Sequence, residues 1–318
     1  MPRGRKIPAL AAHGGAGAPG PAAESSGRRR GMLAAVRAGA AILRCGGGAL
    51  DAVSATVAAL EDHPLFNAGY GSVLNSVGRV EMDASVMEAV PRAERTNRAG
   101  ESAYLLRAGG VAAIGRVRNP VYLARAVMER TPHLLMVGAG AERFARSVGI
   151  KLCRPEELIS PRARERWRSR RKTIAAREHG TVGAVAIDSH GTLAAATSTG
   201  GWPGKLPGRV GDSAIIGAGT FANWLGAASA TGNGEAIIVA ALCREAVLAL
   251  KNHAPGAAAR DVIARLSAAS GAEAGIVLID RRGRIGYAHN AAMEVATFDP
   301  AAGLRHLRPA PVSSARRS

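Results

Sequence analysis

The feature that most constrains this chain is an abrupt change of character at Thr181. A polar, arginine-rich stretch runs up to Gly180, and the next seven residues, Thr-Val-Gly-Ala-Val-Ala-Ile, have the composition of a small-residue β-strand. Across the polar turn Asp188-Ser189-His190-Gly191 a second strand pattern occupies residues 192–198, so the middle of the chain is a hairpin that opens on a hydroxyl. A cut before Thr181 would leave a hydroxyl nucleophile and a free α-amine on one residue. The amine, with a reference pKa of about 7.7 to 8.0, is basic enough to take the hydroxyl proton during attack on a carbonyl. Taken alone, a Gly-Thr pair at a strand opening is commonplace, and the downstream residues have to decide its meaning.

Patterning elsewhere alternates helices with strands. Residues 32–44 and 49–61 are alanine-rich helical stretches separated by Gly46-Gly47-Gly48, which stops the first and lets the second restart. Residues 80–87 alternate as a half-buried strand. Asn119-Pro120 supplies a cap and a first-turn proline for a helix to about residue 130, and 134–138 reads as a short strand. Residues 235–250 form one long apolar helix and 258–268 another, while 275–280 and 285–289 pair around Arg281-Arg282-Gly283. Helices flanking strands in both halves predict a mixed α and β layered domain.

Six segments then agree in order. They are His13-Gly14-Gly15-Ala16-Gly17-Ala18, Phe66-Asn67-Ala68-Gly69-Tyr70-Gly71, Thr197-Ser198-Thr199-Gly200-Gly201, residues 205–213 (Lys-Leu-Pro-Gly-Arg-Val-Gly-Asp-Ser), Gly217-Ala218-Gly219, and residues 230–235 (Ala-Thr-Gly-Asn-Gly-Glu). Together with Thr181 they closely resemble the plant-type L-asparaginase/isoaspartyl peptidase family of N-terminal-nucleophile hydrolases, over nearly the whole chain. The resemblance implies an α+β fold, a four-layer αββα sandwich. It also implies self-cleavage at Gly180-Thr181 into an α-subunit, residues 1–180 with a mobile basic linker from about 155, and a β-subunit, residues 181–318. The implied assembly is a dimer of αβ pairs, and the implied activity is hydrolysis of β-aspartyl dipeptides and L-asparagine through an acyl-enzyme on Thr181.

Site roles follow from that resemblance and from what amide hydrolysis requires. Arg209 offers a planar fork for the substrate α-carboxylate and Asp212 an acceptor for its ammonium, with Gly234 beside them. Thr231 and Gly232 match the oxyanion hole, where a hydroxyl and a close main-chain N–H face developing charge. Thr199 matches the threonine that hydrogen-bonds near the nucleophile, although strand alternation alone places Thr197 and Thr199 on one face and does not choose between them. Asn67 matches a residue orienting the site. No catalytic cofactor is implied. The resemblance does imply a structural sodium ion ringed by main-chain carbonyls of Leu60, Glu61, His63, Phe66, Ala68 and Tyr70. His13-Gly14-Gly15-Ala16-Gly17 lacks the lysine of a phosphate loop and reads as close backbone packing beside the site.

Two departures from the family pattern bear on side-chain selectivity: Asn233 stands where relatives often carry threonine, and Asn290-Ala291-Ala292-Met293 lacks a hydroxyl-rich run. A glycosylasparaginase-like hydrolase shares the residues around Arg209 and Asp212, but Thr199-Gly200-Gly201 favours the asparaginase branch. Charge raises an alternative of another class. The net charge is +18, and 29 of the 42 Lys/Arg lie upstream of Thr181, densest at residues 162–172. That segment holds one aromatic and no nucleic-acid fold motif, so it is expected to be a solvated helix and linker rather than a cationic binding module on a vestigial hydrolase, and nucleic acid is not an expected partner. No run of eighteen apolar residues and no signal-peptide pattern occur, so a membrane is not expected either and the cytoplasm is the expected compartment. Cys45, Cys153 and Cys243 lack metal-ligand spacing and are expected to be reduced thiols, Cys45 and Cys243 as packing residues in helices.

Overall fold

The computed structural model describes residues 7–17, 22–96, 102–170 and 180–307. Along the chain lie β1 (Ala9–Gly17), α1 (Ala22–Arg44), α2 (Ala49–Glu61), β2 (Met82–Thr96), β3 (Ser102–Ile114), α3 (Pro120–Arg130), β4 (Leu135–Val137), α4 (Gly138–Ser147) and α5 (Pro161–Arg170). They are followed by β5 (Thr181–Ile187), β6 (Leu193–Thr199), β7 (Thr220–Ala222), β8 (Gly226–Gly232), α6 (Gly234–Ala240), α7 (Leu242–Ala249), α8 (Pro255–Ser270), β9 (Ala274–Asp280), β10 (Ile285–His289), β11 (Ala292–Asp299) and β12 (Gly303–Leu307). The strands form an eight-stranded sheet in the order β12-β11-β1-β5-β6-β2-β3-β4 and a four-stranded sheet in the order β10-β9-β8-β7.

Strand alternation explains how these sheets become four layers. On β5, Val182 and Ala184 point toward α1 and α2, where they meet Leu10, Met32, Val36, Val53 and Val57. Val185 and Ile187 point the other way and join Ala195 of β6 with Val277 and Ile279 of β9, closing the gap between the sheets. The outer face of the small sheet, through Ala228, Ala230, Ile276 and Leu278, packs on Val247 of α7 and Ile263 of α8. The result is an αββα sandwich, as the resemblance implies. Every residue of β5 and β6 is buried, because layers cover both faces and strands cover both edges.

Several local expectations change. The expected helix over 235–250 is two helices, broken at Ala241 in the left-handed region with φ 47° and ψ 46°. Its second half starts anew because the first N–H groups of α7 find tertiary acceptors: Cys243 N donates to Ala218 O and Arg244 N to Gly217 O. Asn119 does not cap α3 with its side chain; Glu61 Oε1 accepts Val121 N at 3.0 Å, and Asn119 Nδ2 reaches back to Ala58 O. Helix α1 begins at Ala22 and not at 32, and β2 continues to Thr96 because β3 pairs with it. Cys45 lies beyond α1 and is exposed, whereas Cys243 is buried on α7 as expected.

The basic segment is also more tightly held than a solvated helix. Arg162 of α5 makes a bidentate pair with Glu24, Ala163 is buried, and Trp167 Nε1 donates to Asn75 O with its ring against Gly78. Arg164 and Arg168 are exposed, while residues 171–172 and the rest of the expected linker to 179 lie outside the described residues.

Small residues between the sheets are a steric requirement. A Cβ on Gly183 would lie 1.9 Å from Ser229 Oγ and 2.5 Å from His13 Nε2, whereas one on Gly140 in α4 would meet nothing within 4 Å. Gly183→Ala is therefore expected to destabilise the protein by about 1–3 kcal/mol through overpacking. Gly140→Ala should be neutral or stabilising by about 0.5–1 kcal/mol. Denaturant midpoints of the two variants against wild type check both signs.

Candidate active site

Antiparallel pairing of β5 with β6 puts Thr181 directly opposite Thr199. Both are nearly fully buried. Thr181 Oγ1 lies 3.1 Å from Thr199 Oγ1, which in turn lies 3.3 Å from the Gly180 carbonyl oxygen and accepts Gly201 N at 3.0 Å. The direction of this chain follows from valence. A carbonyl only accepts and a main-chain N–H only donates, so the single Thr199 proton goes to Gly180 O, and Thr181 is the donor to Thr199. The hydroxyl of Thr181 is thus connected through one side chain to the carbonyl of its own preceding residue. Thr197, two residues earlier, points into the same layer but bonds Gly219 O and Ser229 Oγ instead, which separates the two threonines that alternation left together.

The peptide before Thr181 is closely walled. Gly15, with φ +102°, has its missing Cβ position 2.8 Å from Gly180 Cα and 3.2 Å from Thr181 N, so any side chain there would press on this peptide. On the other side, a Cβ on Gly180 would stand 3.0 Å from Asn67 Cβ. Asn67 is itself locked, its Oδ1 accepting Val73 N at 2.9 Å and its Nδ2 donating to Gly201 O at 2.8 Å.

Arg209 and Asp212 lie on the loop between β6 and β7, where a 3-10 turn, Asp212–Ala214, buries the aspartate. A point where Gly234 would carry Cβ is 2.8 Å from Arg209 Nη2 and 2.9 Å from Asp212 Oδ1. The glycine thus leaves a gap in which a cation and an anion converge. Burial pushes the Asp212 carboxyl up to about 7, reinforced by Asp83 and Glu235 and opposed by Arg209. Thr231 and Gly232 end β8 on the facing sheet, two residues before Gly234, and Gly232 has φ +135° with the Glu273 carbonyl against it.

Sequence reasoning missed four contributors. Glu235 makes a bidentate pair with Arg209, and Trp202 stacks on the same guanidinium at 4.7 Å. Buried Lys205 and Asp83, 3.9 Å apart, brace the loop from behind: Lys205 Nζ donates to Glu81 O, and Asp83 Oδ2 accepts Gly211 N. Glu235 and Lys205 stood inside the quoted segments, but only packing assigns them partners. His13, read as part of a backbone-packing loop, places its ring on Ser229 Oγ at 2.9 Å. Burial lowers its pKa to about 3, outweighing a hydrogen bond with the Thr181 main chain, so the imidazole is neutral. The two departures have structural work: Asn233 caps α6 by accepting Ala236 N, and Asn290 accepts Ala274 N while donating to Ala272 O.

For the sodium loop, Leu60 O, His63 O, Phe66 O and Ala68 O accept main-chain hydrogen bonds within the turn. Glu61 O lies 2.4 Å from the missing Cβ of Gly69, and Phe66 O and His63 O lie 1.9 and 3.0 Å from that of Gly71. Carbonyls therefore crowd two glycines where no side chain fits. Among the described residues no cluster of His, Cys, Asp and Glu side chains has the arrangement of a metal site, and no helix is long and apolar enough to cross a membrane.

Comparison with known proteins gives a consistent answer. A profile described as asparaginase matches residues 6–307. The isoaspartyl peptidase/L-asparaginase of Danio rerio is 42% identical over 286 residues, covering 87% of each chain. The human protein of that name is 43% identical over 244 residues, 74% of this chain and 75% of its own. The isoaspartyl peptidase of Salmonella typhimurium is 40% identical over 305 residues, 88% and 91% of the two chains.

The Asp212 environment carries a sign that can be tested. Its pKa is raised on folding, so its contribution to stability is present below about 3.8 and is lost as pH rises through about 7. The urea midpoint of wild type should therefore fall, relative to that of Asp212→Asn, between pH 5 and pH 8. A constant difference across that range would refute the assignment.

Proposed function

The chain belongs to the asparaginase family of hydrolases, and from that premise we propose that it cleaves itself at Gly180-Thr181 and then hydrolyses β-aspartyl dipeptides and L-asparagine to L-aspartate. The observation that carries this reading is the directed chain from the Thr181 hydroxyl through Thr199 to the Gly180 carbonyl. When Thr181 Oγ1 attacks the Gly180 carbonyl carbon, its proton passes to the Thr199 oxygen as the Thr199 proton moves onto the developing oxyanion, so that Thr199 ends as a neutral hydroxyl and the adduct is neutral. The C–N bond breaks as the carbonyl reforms and the adduct's hydroxyl proton is handed to the nitrogen, leaving an ester on Thr181 and a free amine. Water hydrolyses that ester, releasing the Gly180 carboxylate and restoring the Thr181 hydroxyl beside its free α-amine. Residues 1–180 and 181–318 then form the two subunits, which we assign to a dimer of αβ pairs.

In turnover the freed amine acts as the base for the same hydroxyl. Arg209 holds the substrate α-carboxylate, Asp212 its ammonium, and the gap over Gly234 takes the group between them. Oxyanion donors are assigned to Thr231 and Gly232, and loss of one such donor typically costs about 2.7 to 4 kcal/mol. Before cleavage, Asn67 keeps the Gly180–Thr181 peptide against Thr199. The chemistry needs no cofactor. The carbonyls of Leu60, Glu61, His63, Phe66, Ala68 and Tyr70 suit a hard cation such as sodium, which would stiffen the Asn67 loop. The unbridged cysteines support a reducing compartment, and we assign the protein to the cytoplasm.

Incubation of the purified chain should give a fragment whose N-terminal sequence reads Thr-Val-Gly-Ala, with intact mass fixing the cut. Thr181→Ala should remain whole and inactive, and an uncleaved chain with full turnover would sink the mechanism. Arg209→Ala should lower kcat/KM for a β-aspartyl dipeptide by about a hundredfold, as expected for removing a largely enclosed charged partner. Its self-cleavage should persist, since the Gly180–Thr181 peptide presents no α-carboxylate.

A further inference from the structure

We propose that Glu235 is a positioning residue for substrate binding: its carboxylate holds one edge of the Arg209 guanidinium and leaves the other edge open toward Asp212. Arg209 Nε donates to Glu235 Oε1 and Nη2 to Oε2, both at 2.9 Å, so the Nε/Nη2 edge is fully engaged. The Trp202 ring covers one face of the guanidinium. Nη1 donates no hydrogen bond among the described residues, and one of the two Nη2 protons points away from Glu235. The Nη1/Nη2 edge lies over two glycines, with Nη1 2.9 Å from the missing Cβ of Gly211 and Nη2 2.8 Å from that of Gly234. Asp212 Oδ1 stands 2.9 Å from the latter point, so this is the edge an α-amino acid head group meets. A planar fork held on one edge and one face has no remaining rotation to lose when a carboxylate docks.

The placement of Glu235 suits that task. It opens α6, whose start is fixed by the Asn233 cap, and its side chain reaches in from the rim, 52% exposed, to an arginine that is 16% exposed. If Glu235 instead occupied the substrate's place on the fork, it would have to swing out on binding, and its removal would tighten substrate. The engaged edge argues for the first arrangement, since the end facing Asp212 is the one left open.

This inference rests on reading Arg209 as the α-carboxylate anchor, and the experiment separates the two. Steady-state kinetics would be measured on the self-cleaved protein with a β-aspartyl dipeptide and with the same dipeptide carrying an α-carboxamide on its aspartyl unit. Glu235→Gln should raise KM for the carboxylate substrate by about three- to tenfold, with kcat within about twofold, as suits an ion pair of good geometry near the surface. Glu235→Ala should raise KM further. Kinetics on the carboxamide and the extent of self-cleavage should not move, and Glu235→Gln should add nothing in an Arg209→Ala background. An unchanged or lowered KM for the carboxylate substrate, or an equal rise for the carboxamide, would overturn the proposal. Wild type that does not discriminate the two substrates would instead overturn the anchor reading beneath it.

Discussion

The register between β5 and β6 is the constraint on which the rest depends. One pairing, Thr181 opposite Thr199, brings together a hydroxyl, a second hydroxyl and the carbonyl before the first. A slip of one residue would turn Thr181 toward the helices and send Val182 into the seam between the sheets. The register is protected because β5 is central, with β1 on its far side pairing Ala9 with Ile187 and His13 with Gly183. Burial of both faces then makes any other alignment costly.

Between the sheets a polar seam runs through what is otherwise an aliphatic layer of alanine, valine, isoleucine, leucine and methionine. Ser85 Oγ bonds Ser213 O and Thr220 Oγ1, Thr220 bonds Thr197, Thr197 bonds Ser229, and Ser229 bonds His13. Each of these groups would cost free energy if buried without a partner, and together they form a connected set. A neutral imidazole at its end is consistent with this, since a charged one would have no counter-ion in the seam. The seam links the floor of the Asp212 loop to the strand next to Thr181, so the two ends of the site share one rigid support.

The loop that carries Arg209 and Asp212 is organised by charge more than by apolar packing. Lys205 and Asp83 are buried beneath it, the lysine pKa lowered and the aspartate pKa raised by burial, each partly offset by the other. Breaking such a pair leaves an uncompensated buried charge, which is why it fixes geometry even where its net stabilisation is small. Above them, the mostly enclosed Arg209 pairs with the exposed carboxylate of Glu235. Buried charges set the position of the loop, and surface charges set the orientation of its arginine.

Local chemistry written in the sequence was enough for the hairpin at Thr181, the helix at residues 49–61, the proline-opened helix at 120 and the αββα architecture that the ordered segments imply. The hairpin and the two helices follow from periodicity, turn residues and short-range spacing, which act within a few residues, whereas the αββα architecture came from the family resemblance of the ordered segments and not from periodicity. What the sequence could not decide by itself came from long-range contacts. The break at Ala241 arises because a loop at residues 217–218 offers acceptors to α7. The docking of α5 depends on Glu24 and Asn75, far away in the chain. Thr199 is distinguished from Thr197 only by which partner the facing sheet and Gly180 present. The edge of Arg209 held by Glu235 exists only once α6 is packed beside the loop. Spacing along a strand tells which face a side chain takes, but a hydrogen bond needs two groups within about 3 Å, and that distance is set by the tertiary structure.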